Sequence, residues 1–196
     1  AFGEVWLVRG VTGLLRAAKV VSRDQSGASG YDREYRAIQT YAASSLEDPR
    51  LLKILHVGRE TASGGFYYIM ELADDAGAVP AADAPIDTSH YRPRTLASEF
   101  GRRPAIPPSE LLGLGADLTR SLHSLHSRGL VHRDIKPSNI VYIGGIPRLG
   151  DVGLVTLANE ARTFVGTQPY IPPEGPGTVA ADIYALGKVL YEALHG

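Results

Sequence analysis

The side chains with the clearest capacity for chemistry lie in one short stretch, residues 132–139, whose sequence is HRDIKPSN. It holds a carboxylate at Asp134, an ammonium group at Lys136 and an amide at Asn139, and a second carboxylate, Asp151, follows twelve residues after Asn139. A carboxylate can accept a proton from a hydroxyl group, and a lysine can offset negative charge. Carboxylate and amide oxygens also suit Mg²⁺, a hard cation. This stretch is therefore the first candidate for a catalytic site.

Further short motifs follow the stretch in a fixed order. Residues 151–153 read DVG, residues 166–167 read GT, residues 172–174 read PPE and residues 182–187 read DIYALG. Taken alone, DVG is an ordinary turn, because Asp and Gly are common turn residues. It gains meaning from its distance to Asn139.

Together these motifs resemble the catalytic region of the protein kinases. Residues 132–139 resemble the catalytic loop H-R-D-x-K-x-x-N, and residues 151–153 resemble the metal-binding turn D-F-G. Residues 166–174 resemble the G-T and A-P-E segments, and residues 182–187 resemble the helix motif D-x-[WY]-x-x-G. The residues of these motifs are most similar to those of the bacterial, eukaryotic-like (Hanks-type) serine/threonine kinases. The resemblance implies transfer of the γ-phosphoryl group of ATP to Ser or Thr hydroxyls of proteins.

The N-terminal third resembles the nucleotide-binding half of such an enzyme. Residues 2–5 resemble the end of a glycine-rich loop, and residues 17–19 resemble V-A-I-K. Glu34 lies fifteen residues after Lys19, a spacing typical of the αC glutamate, and residues 70–73 resemble a gatekeeper followed by a hinge. Alone, Lys19 and Glu34 are more simply interpreted as solvated surface charges, and only the later motifs favour a catalytic pair.

The resemblance implies a role for each residue of the catalytic stretch. Asp134 would accept the proton of the substrate hydroxyl, and Lys136 would offset the charge that builds on the γ-phosphate. Asn139 and Asp151 would bind Mg²⁺. Phosphoryl transfer asks a protein mainly for positioning and charge neutralisation, and these residue types supply both.

The same resemblance implies where ATP would bind. Lys19 would hold the α- and β-phosphates while Glu34 keeps its ammonium group in place. The backbone of Glu71 and Ala73 would meet the adenine edge, and Ala18 would lie above the ring. The expected nucleotide contacts are, in chain order, Gly3, Val5, Ala18, Lys19, Met70, Glu71, Ala73 and Val141.

The sequence departs from the family pattern at several places. Val152 replaces the usual Phe, whose side chain is expected to pack between Ile38 and His132, and valine fills less volume there. The stretch 174–182 is shorter than usual, and the stretch 73–93 is longer.

Hydrophobic patterns predict the elements that must position these residues. Strands are predicted at residues 5–8, 17–21, 51–57, 66–72, 140–143 and 146–149, and helices at residues 31–43, from Ser109 as N-cap to Gly129 as C-cap, and from about Ala181. We therefore expect an α+β, two-lobed protein-kinase fold, truncated at both ends. Its N-lobe would hold an antiparallel sheet with the αC helix, and its C-lobe would be mainly helical. The expected divisions are an N-lobe at 1–73, a loop after the hinge at 74–93, and a C-lobe at 94–196 that lacks its C-terminal helices.

Composition limits the classes of partner. Twenty basic and 21 acidic residues leave a formal net charge of −1, which argues against nucleic acid as a partner. The chain contains no cysteine, which excludes disulfides, thiolate metal sites and cysteine nucleophiles. No apolar run reaches the roughly 18 residues that indicate a membrane span.

The expected partners are ATP with Mg²⁺ as cofactor, and a protein that carries a Ser or Thr hydroxyl. The resemblance also implies that Arg133 receives a phosphate from the segment between Asp151 and Glu174, which holds Thr163. We therefore expect phosphorylation of Thr163, through self-association of two copies. We expect a cytoplasmic location for this region, in a full-length protein that another segment can tether to a membrane.

Two rival functions stay open at this point. A pseudokinase would bind ATP or act as a scaffold without turnover, and Val152 speaks for it. A small-molecule kinase of the aminoglycoside-phosphotransferase type shares the broad fold, but usually lacks both the lysine of H-R-D-x-K and the G-T and P-E segments found here. Against the pseudokinase, none of the expected catalytic positions is substituted, namely Lys19, Glu34, Asp134, Asn139 and Asp151.

Overall fold

The computed structural model describes residues 4–22, 27–60, 64–77, 86–103, 105–158 and 166–195. Its strands are β1 (Glu4–Arg9), β2 (Leu15–Val21), β3 (Ile54–Arg59), β4 (Phe66–Met70), β5 (Leu130–Val131), β6 (Ile140–Ile143), β7 (Ile146–Leu149) and β8 (Thr156–Leu157). Its α-helices are α1 (Gly27–Glu47), α2 (Leu96–Phe100), α3 (Pro108–His126) and α4 (Val179–His195). Short 3₁₀ turns occupy residues 137–139 and 152–154.

The N-terminal lobe is an antiparallel sheet covered by one helix. Its four strands lie in the order β1-β2-β4-β3, so that β2 and β4 are central. Lys19 of β2 is in register with Val5 of β1 and with Tyr68 of β4. Helix α1 packs on the sheet through Ile38 and Tyr41, which are fully buried in the core. Side chains alternate between the two faces of a strand, so β2 sends successive residues toward α1 and toward the opposite face.

The C-terminal lobe is built on two helices and two short hairpins. Leucines of α3 recur at three- and four-residue steps and bury one face of that helix. Helix α4 packs against it, and Leu190 Cδ1 lies 3.3 Å from where a Cβ of Gly115 would stand, so the glycine allows a close approach. The hairpin β6–β7 and the pair β5–β8 lie beside α3. The predicted two-lobed kinase fold is confirmed, while the division at 73 and 93 stays a prediction.

Several predicted boundaries were wrong for local reasons. Ser109 is not the N-cap of α3, because Pro107 precedes the helix and Pro108 is its first residue, a position that proline favours. Its C-cap is Ser127, and Gly129 instead adopts a φ of 71° in the turn into β5. Sequence patterns missed α2, a five-residue helix that begins at the capping box of Thr95 and Ser98.

Within the described residues, no helix combines the length and the apolar character that crossing a membrane requires.

A buried carboxylate joins the two lobes behind the cleft. Asp48 follows α1, is only 3% exposed, and accepts hydrogen bonds from Arg50 Nε at 2.7 Å and Nη2 at 2.8 Å, and from the Ser124 hydroxyl of α3. Ser121 of α3 adds a hydrogen bond to the Arg50 carbonyl at 3.1 Å. The hydrogen bonds from Arg50, followed by the one from Ser124, hold the pKa of Asp48 well below its usual range, although burial opposes them. The end of α1 is therefore tied to α3 by charge-assisted hydrogen bonds.

Asp48→Asn should lower the free energy of unfolding by about 1.5–3 kcal/mol, because it removes the charge that receives these hydrogen bonds. For a protein of this size the melting temperature should fall by roughly 3–10 °C, as measured by calorimetry. A lowered pKa in the folded state means that this stabilisation is complete above the ordinary pKa of about 4 and is lost as the pH falls through the lower, folded-state pKa.

The difference between Asp48→Asn and wild type should therefore stay constant from pH 7 to about 4 and shrink as the pH falls further. Asp117→Asn is the matched control, because Asp117 forms an exposed ion pair with Arg120 on the same helix as Ser124. It should change the stability by less than about 1 kcal/mol. Equal effects of the two substitutions would contradict the assignment.

Candidate active site

A cavity of about 410 Å³ lies between the sheet and the C-terminal lobe. Most of the residues predicted to contact a nucleotide or a metal line it, namely Val5, Lys19, Met70, Glu71, Ala73, Asn139, Val141 and Asp151. Gly3 lies outside the described residues. The walls are thus supplied by β1, β2, the segment after β4, β6 and the turn after β7, which the fold brings to one place.

The prediction for Ala18 was wrong, because Ala17 lines the cavity in its place. Lys19 lines the cavity, and side chains two residues apart on a strand share a face. Ala17 therefore faces the cavity, and Ala18 is buried on the opposite face of the sheet. Counting in steps of two from Lys19 would have found it.

Lys19 is the buried cation of the cleft, at 2% exposure. Its ammonium group donates a hydrogen bond to Asp151 Oδ1, which lies 132 residues further along the chain. Glu34 is half-buried on α1. Burial raises the pKa of Tyr68 well above its usual value, and the charges of Asp151 and Glu34 raise it further, so both carboxylates lie near this tyrosine. The pairing of Lys19 with Glu34 stays a prediction.

Asp151 occupies an unusual backbone conformation at the start of the DVG turn. Its φ of 45° and ψ of 58° fall in the left-handed region, and a 3₁₀ turn follows at once. Val152 is fully buried, and α1 packs against this turn. Gly153 follows, and a Cβ at this position would overlap with the Lys19 ammonium group, so a larger residue would displace that group from its present place.

A closed set of hydrogen bonds surrounds the Asp134 carboxylate. Oδ1 accepts a hydrogen bond from the Thr167 hydroxyl at 2.7 Å, and Oδ2 accepts from Lys136 at 2.9 Å and from the Asn139 amide at 2.8 Å. Lys136 also donates to the Thr167 oxygen at 2.8 Å. Burial favours the neutral form of Asp134, but these hydrogen bonds outweigh it and hold its pKa below the usual range. Asp134 is therefore ionised and oriented at neutral pH.

A carboxylate of α4 holds the backbone of the catalytic stretch. Asp182, 2% exposed, accepts hydrogen bonds at 2.8 Å from the backbone amides of His132 and Arg133, and contacts His126 Nε2 at 2.9 Å. Arg133 has a φ of 74°, which a residue with a side chain rarely adopts. In the sequence, Asp182 stands out only as part of a helix motif. The available signal was an acidic residue in the first turn of a mostly apolar helix.

The oxygen ligands in the cavity suit a hard divalent cation. Asn139 and Asp151 both line it, and the Asn139 side-chain nitrogen already donates to the Asp134 carbonyl and carboxylate, both at 2.8 Å. Its amide oxygen is therefore the atom available to a metal. Among the described residues, no group of three His, Cys, Asp or Glu side chains gathers into a complete metal site. Two protein oxygens, completed by phosphate and water, fit the way in which Mg²⁺ binds with nucleotides.

The whole chain, residues 1–196, matches the family model described as the protein kinase domain. The chain belongs to the protein kinase family. It is similar to the DNA damage-responsive serine/threonine-protein kinase RqkA of Deinococcus radiodurans, with 31% identity over 99% of this chain and 28% of that protein. It is similar at 28% identity to the serine/threonine-protein kinases PrkC of Bacillus subtilis and PknB of Mycobacterium leprae, over 92% of this chain and 26% and 28% of those proteins. The predicted resemblance to bacterial Hanks-type kinases is confirmed, and the chain spans little more than a quarter of these relatives' lengths.

A side chain holds the hinge of this kinase domain in place, although the sequence predicted a role only for the backbone of that residue. The Glu71 carboxylate accepts hydrogen bonds from Arg148 Nη1 at 2.7 Å and from the Lys53 amide at 3.1 Å. Arg148, on β7, also donates to the Leu51 carbonyl at 3.1 Å. The Glu71 side chain thus ties the hinge to both lobes, and its backbone borders the cavity.

Gly153→Ala should reduce phosphoryl transfer at least about 100-fold, because the added methyl group displaces Lys19 or the DVG turn and misplaces the reacting groups. A radiometric transfer assay and a melting curve measure the two effects. Gly113→Ala in α3 is the matched control, because nothing lies within 4 Å of its added Cβ. That variant should keep full activity and gain up to about 1 kcal/mol of stability. Unchanged transfer by Gly153→Ala would contradict the packing argument.

Proposed function

We propose that this protein is an ATP-dependent kinase that transfers the γ-phosphoryl group to Ser or Thr hydroxyls of proteins. One observation carries the proposal. Asp134 is ionised, oriented by Lys136, Asn139 and Thr167, and held beside a cavity whose other wall presents Lys19. A base, two cations and oxygen ligands for Mg²⁺ therefore converge on a cleft large enough for part of a nucleotide.

The arrangement accounts for each part of the transfer. The substrate hydroxyl oxygen forms a bond to the γ-phosphorus, the bond to the β–γ bridging oxygen breaks, and ADP leaves. Asp134 accepts the hydroxyl proton, and Lys136 offsets charge on the transferring group. Lys19, positioned by Glu34 and Asp151, orients the α- and β-phosphates. Asn139 and Asp151 would hold Mg²⁺, which would further neutralise the phosphate charge when bound.

Two features favour a Ser or Thr acceptor in a protein. Lys136 bridges the Asp134 carboxylate and the Thr167 hydroxyl, at 2.9 and 2.8 Å, so the segment around Thr167 is fixed beside the base. A polypeptide acceptor can then be positioned along this segment. The relatives carry the printed description of serine/threonine-protein kinases, and their catalytic chemistry is proposed for this chain.

Val152 favours a second candidate, an ATP-binding module without turnover. The aromatic side chain usual at this position would fill more of the space between α1 and the DVG turn, and a valine stands there, fully buried. The intact residues around Asp134 and Asp151 support the active kinase. A transfer assay with a basic protein, with the protein itself and with aminoglycosides separates an active protein kinase from an inactive module and from a small-molecule kinase.

Asp134→Asn in the intact protein should lower phosphoryl transfer by roughly 10²–10⁴-fold, because the amide cannot accept the hydroxyl proton. ATP affinity, measured by titration calorimetry, should stay within about threefold of wild type, because Asp134 contacts the acceptor rather than the nucleotide. Lys19→Met should instead weaken or misplace ATP, and Asp117→Asn on the surface of α3 should change neither quantity. If Asp134→Asn keeps its transfer rate, the assignment of the base is wrong.

We also propose that phosphorylation of Thr163 raises activity. Thr163 lies outside the described residues, but Arg133 next to Asp134 offers a cationic site for a phosphate. Burial lowers the pKa of the Arg133 guanidinium, Asp182 opposes this, and the positive charge of Arg33 on α1 lowers it further. Two arginines that repel each other are favourably bridged by a phosphate of charge about −1.5 to −2, through charge-assisted hydrogen bonds.

Mass spectrometry after incubation with ATP should therefore find phosphate on Thr163, and Thr163→Ala should reduce activity. Wild-type protein mixed with Asp134→Asn protein tests whether one copy acts on another, because phosphate on the inactive copy can only come from its partner. Thr156→Ala, on β8, is the comparison variant and should stay near wild-type activity. Full activity of Thr163→Ala would overturn the proposal.

A further inference from the structure

The long segment after the hinge returns a tyrosine to the cleft. Tyr91 and Pro93 line the cavity together with Ala73. The Tyr91 hydroxyl donates a hydrogen bond of 3.0 Å to the Ala73 carbonyl. This carbonyl belongs to the hinge residue whose backbone is expected to meet the base of the nucleotide. A side chain from the segment after the hinge therefore occupies one of the polar groups against which a base would be placed.

Backbone hydrogen bonds join the two ends of this segment. These ends, residues 74–76 and 92–94, form a neck in which the two stretches run antiparallel, with a bridge between Asp75 and Pro93. Ala76 donates to the Arg92 carbonyl at 2.7 Å, and Arg94 donates to the Asp74 carbonyl at 2.7 Å. Tyr91 stands directly beside this neck, so its position does not depend on the length of the segment.

The neck is also attached to the C-terminal lobe. The Asp74 carboxylate accepts hydrogen bonds of 2.8 Å from the backbone amides of Gly144 and Gly145, in the turn between β6 and β7. The Asp74 amide donates to the Tyr142 carbonyl at 2.7 Å. These bonds fix the backbone next to Ala73, and with it the acceptor that Tyr91 occupies.

The occupied carbonyl matters because adenine and guanine present opposite patterns. Adenine offers a 6-amino donor beside the N1 acceptor, which the Glu71 carbonyl and the Ala73 amide can match in that order. Guanine offers O6 as an acceptor, followed by N1–H and the 2-amino group as donors. The amide and carbonyl of a single extended residue point to the same side, so Ala73 alone offers the donor–acceptor order that guanine needs.

We propose that Tyr91 is a specificity-determining residue that favours adenine over guanine by taking up the Ala73 carbonyl. A guanine in the cleft would then have to leave its N1–H and 2-amino donors without that acceptor, or displace the tyrosine hydroxyl. A buried donor without a partner costs binding energy, so the loss of affinity applies to guanine nucleotides and not to adenine nucleotides. The inference deepens the proposed function and rests on ATP being bound in this cleft. Burial, followed by the charges of Asp75 and Asp74, raises the pKa of Tyr91, so its hydroxyl keeps the proton that it donates.

The test measures the dissociation constants of ATP, GTP and 2-amino-ATP, each with Mg²⁺, by titration calorimetry on intact wild-type and Tyr91→Phe protein. The phenylalanine keeps the ring and removes only the hydroxyl. The ratio of the GTP to the ATP constant should fall about two- to tenfold in Tyr91→Phe, the range expected for one neutral hydrogen bond. 2-Amino-ATP adds a single donor to adenine, and should bind wild type no more tightly than ATP but bind Tyr91→Phe more tightly.

Tyr184→Phe is the control, because Tyr184 is a 40% exposed tyrosine of α4. It should leave all three constants unchanged. An unchanged GTP-to-ATP ratio in a folded Tyr91→Phe protein overturns the inference while the proposed function stands. If that variant does not fold, wild type still decides, since tighter binding of 2-amino-ATP than of ATP shows that the Ala73 carbonyl is free. Wild type that binds neither ATP nor GTP overturns this inference and the proposed function together.

Discussion

The catalytic geometry of this kinase depends on one buried carboxylate, Asp182, that binds two consecutive backbone amides. Because those amides belong to His132 and Arg133, they fix the chain at the point where Arg133 takes a positive φ. A positive φ in a residue with a side chain costs of order 1–3 kcal/mol and persists only where its surroundings impose it. The imposed turn aims Asp134 at Lys136, Asn139 and Thr167. An asparagine in place of Asp182 would turn an NH₂ donor toward one of these two backbone amides. One hydrogen bond would be lost, and the backbone of the catalytic loop would no longer be fixed.

The side of the cleft formed by the sheet follows from a different constraint, the alternation of side chains on β2. Lys19 and Ala17 share one face, so the same strand lines the cavity with a cation and with a small residue. The Glu71–Arg148 pair and the Asp74 carboxylate then hold the hinge against the C-terminal lobe. The backbone of His132 and Arg133 is thus held by α4, and the hinge is held by the β6–β7 hairpin.

The sequence predicted the residues that stand in recognisable motifs, and missed the long-range contacts that no motif marks. Asp134, Lys136 and Asn139 were identified because the catalytic loop compresses their chemistry into eight consecutive residues, and the two-lobed fold followed from the order of the motifs. Asp48 and Ser124 were not, because 76 residues separate two side chains that act only as a pair. The segment after the hinge was identified as unusually long. The end of this segment brings Tyr91 back to Ala73. This return depends on the backbone hydrogen bonds of the neck, which cannot be predicted from residue types.

The turn after β7 shows why a valine at position 152 does not by itself argue for an inactive protein. Filling less volume would loosen this turn if packing were its main support. Gly150, the residue before Asp151, donates a backbone hydrogen bond to the Asn139 carbonyl at 2.7 Å. The Gly150 carbonyl accepts a hydrogen bond from His132 Nε2 at 3.0 Å. Asp151 is bound in turn by Lys19. The turn is therefore attached by polar contacts to the catalytic loop and to β2, each worth about 1 kcal/mol or more and directional, whereas a smaller side chain removes only undirected contact. The polar contacts set where Asp151 points, and the packing beneath them sets only how firmly α1 rests on it.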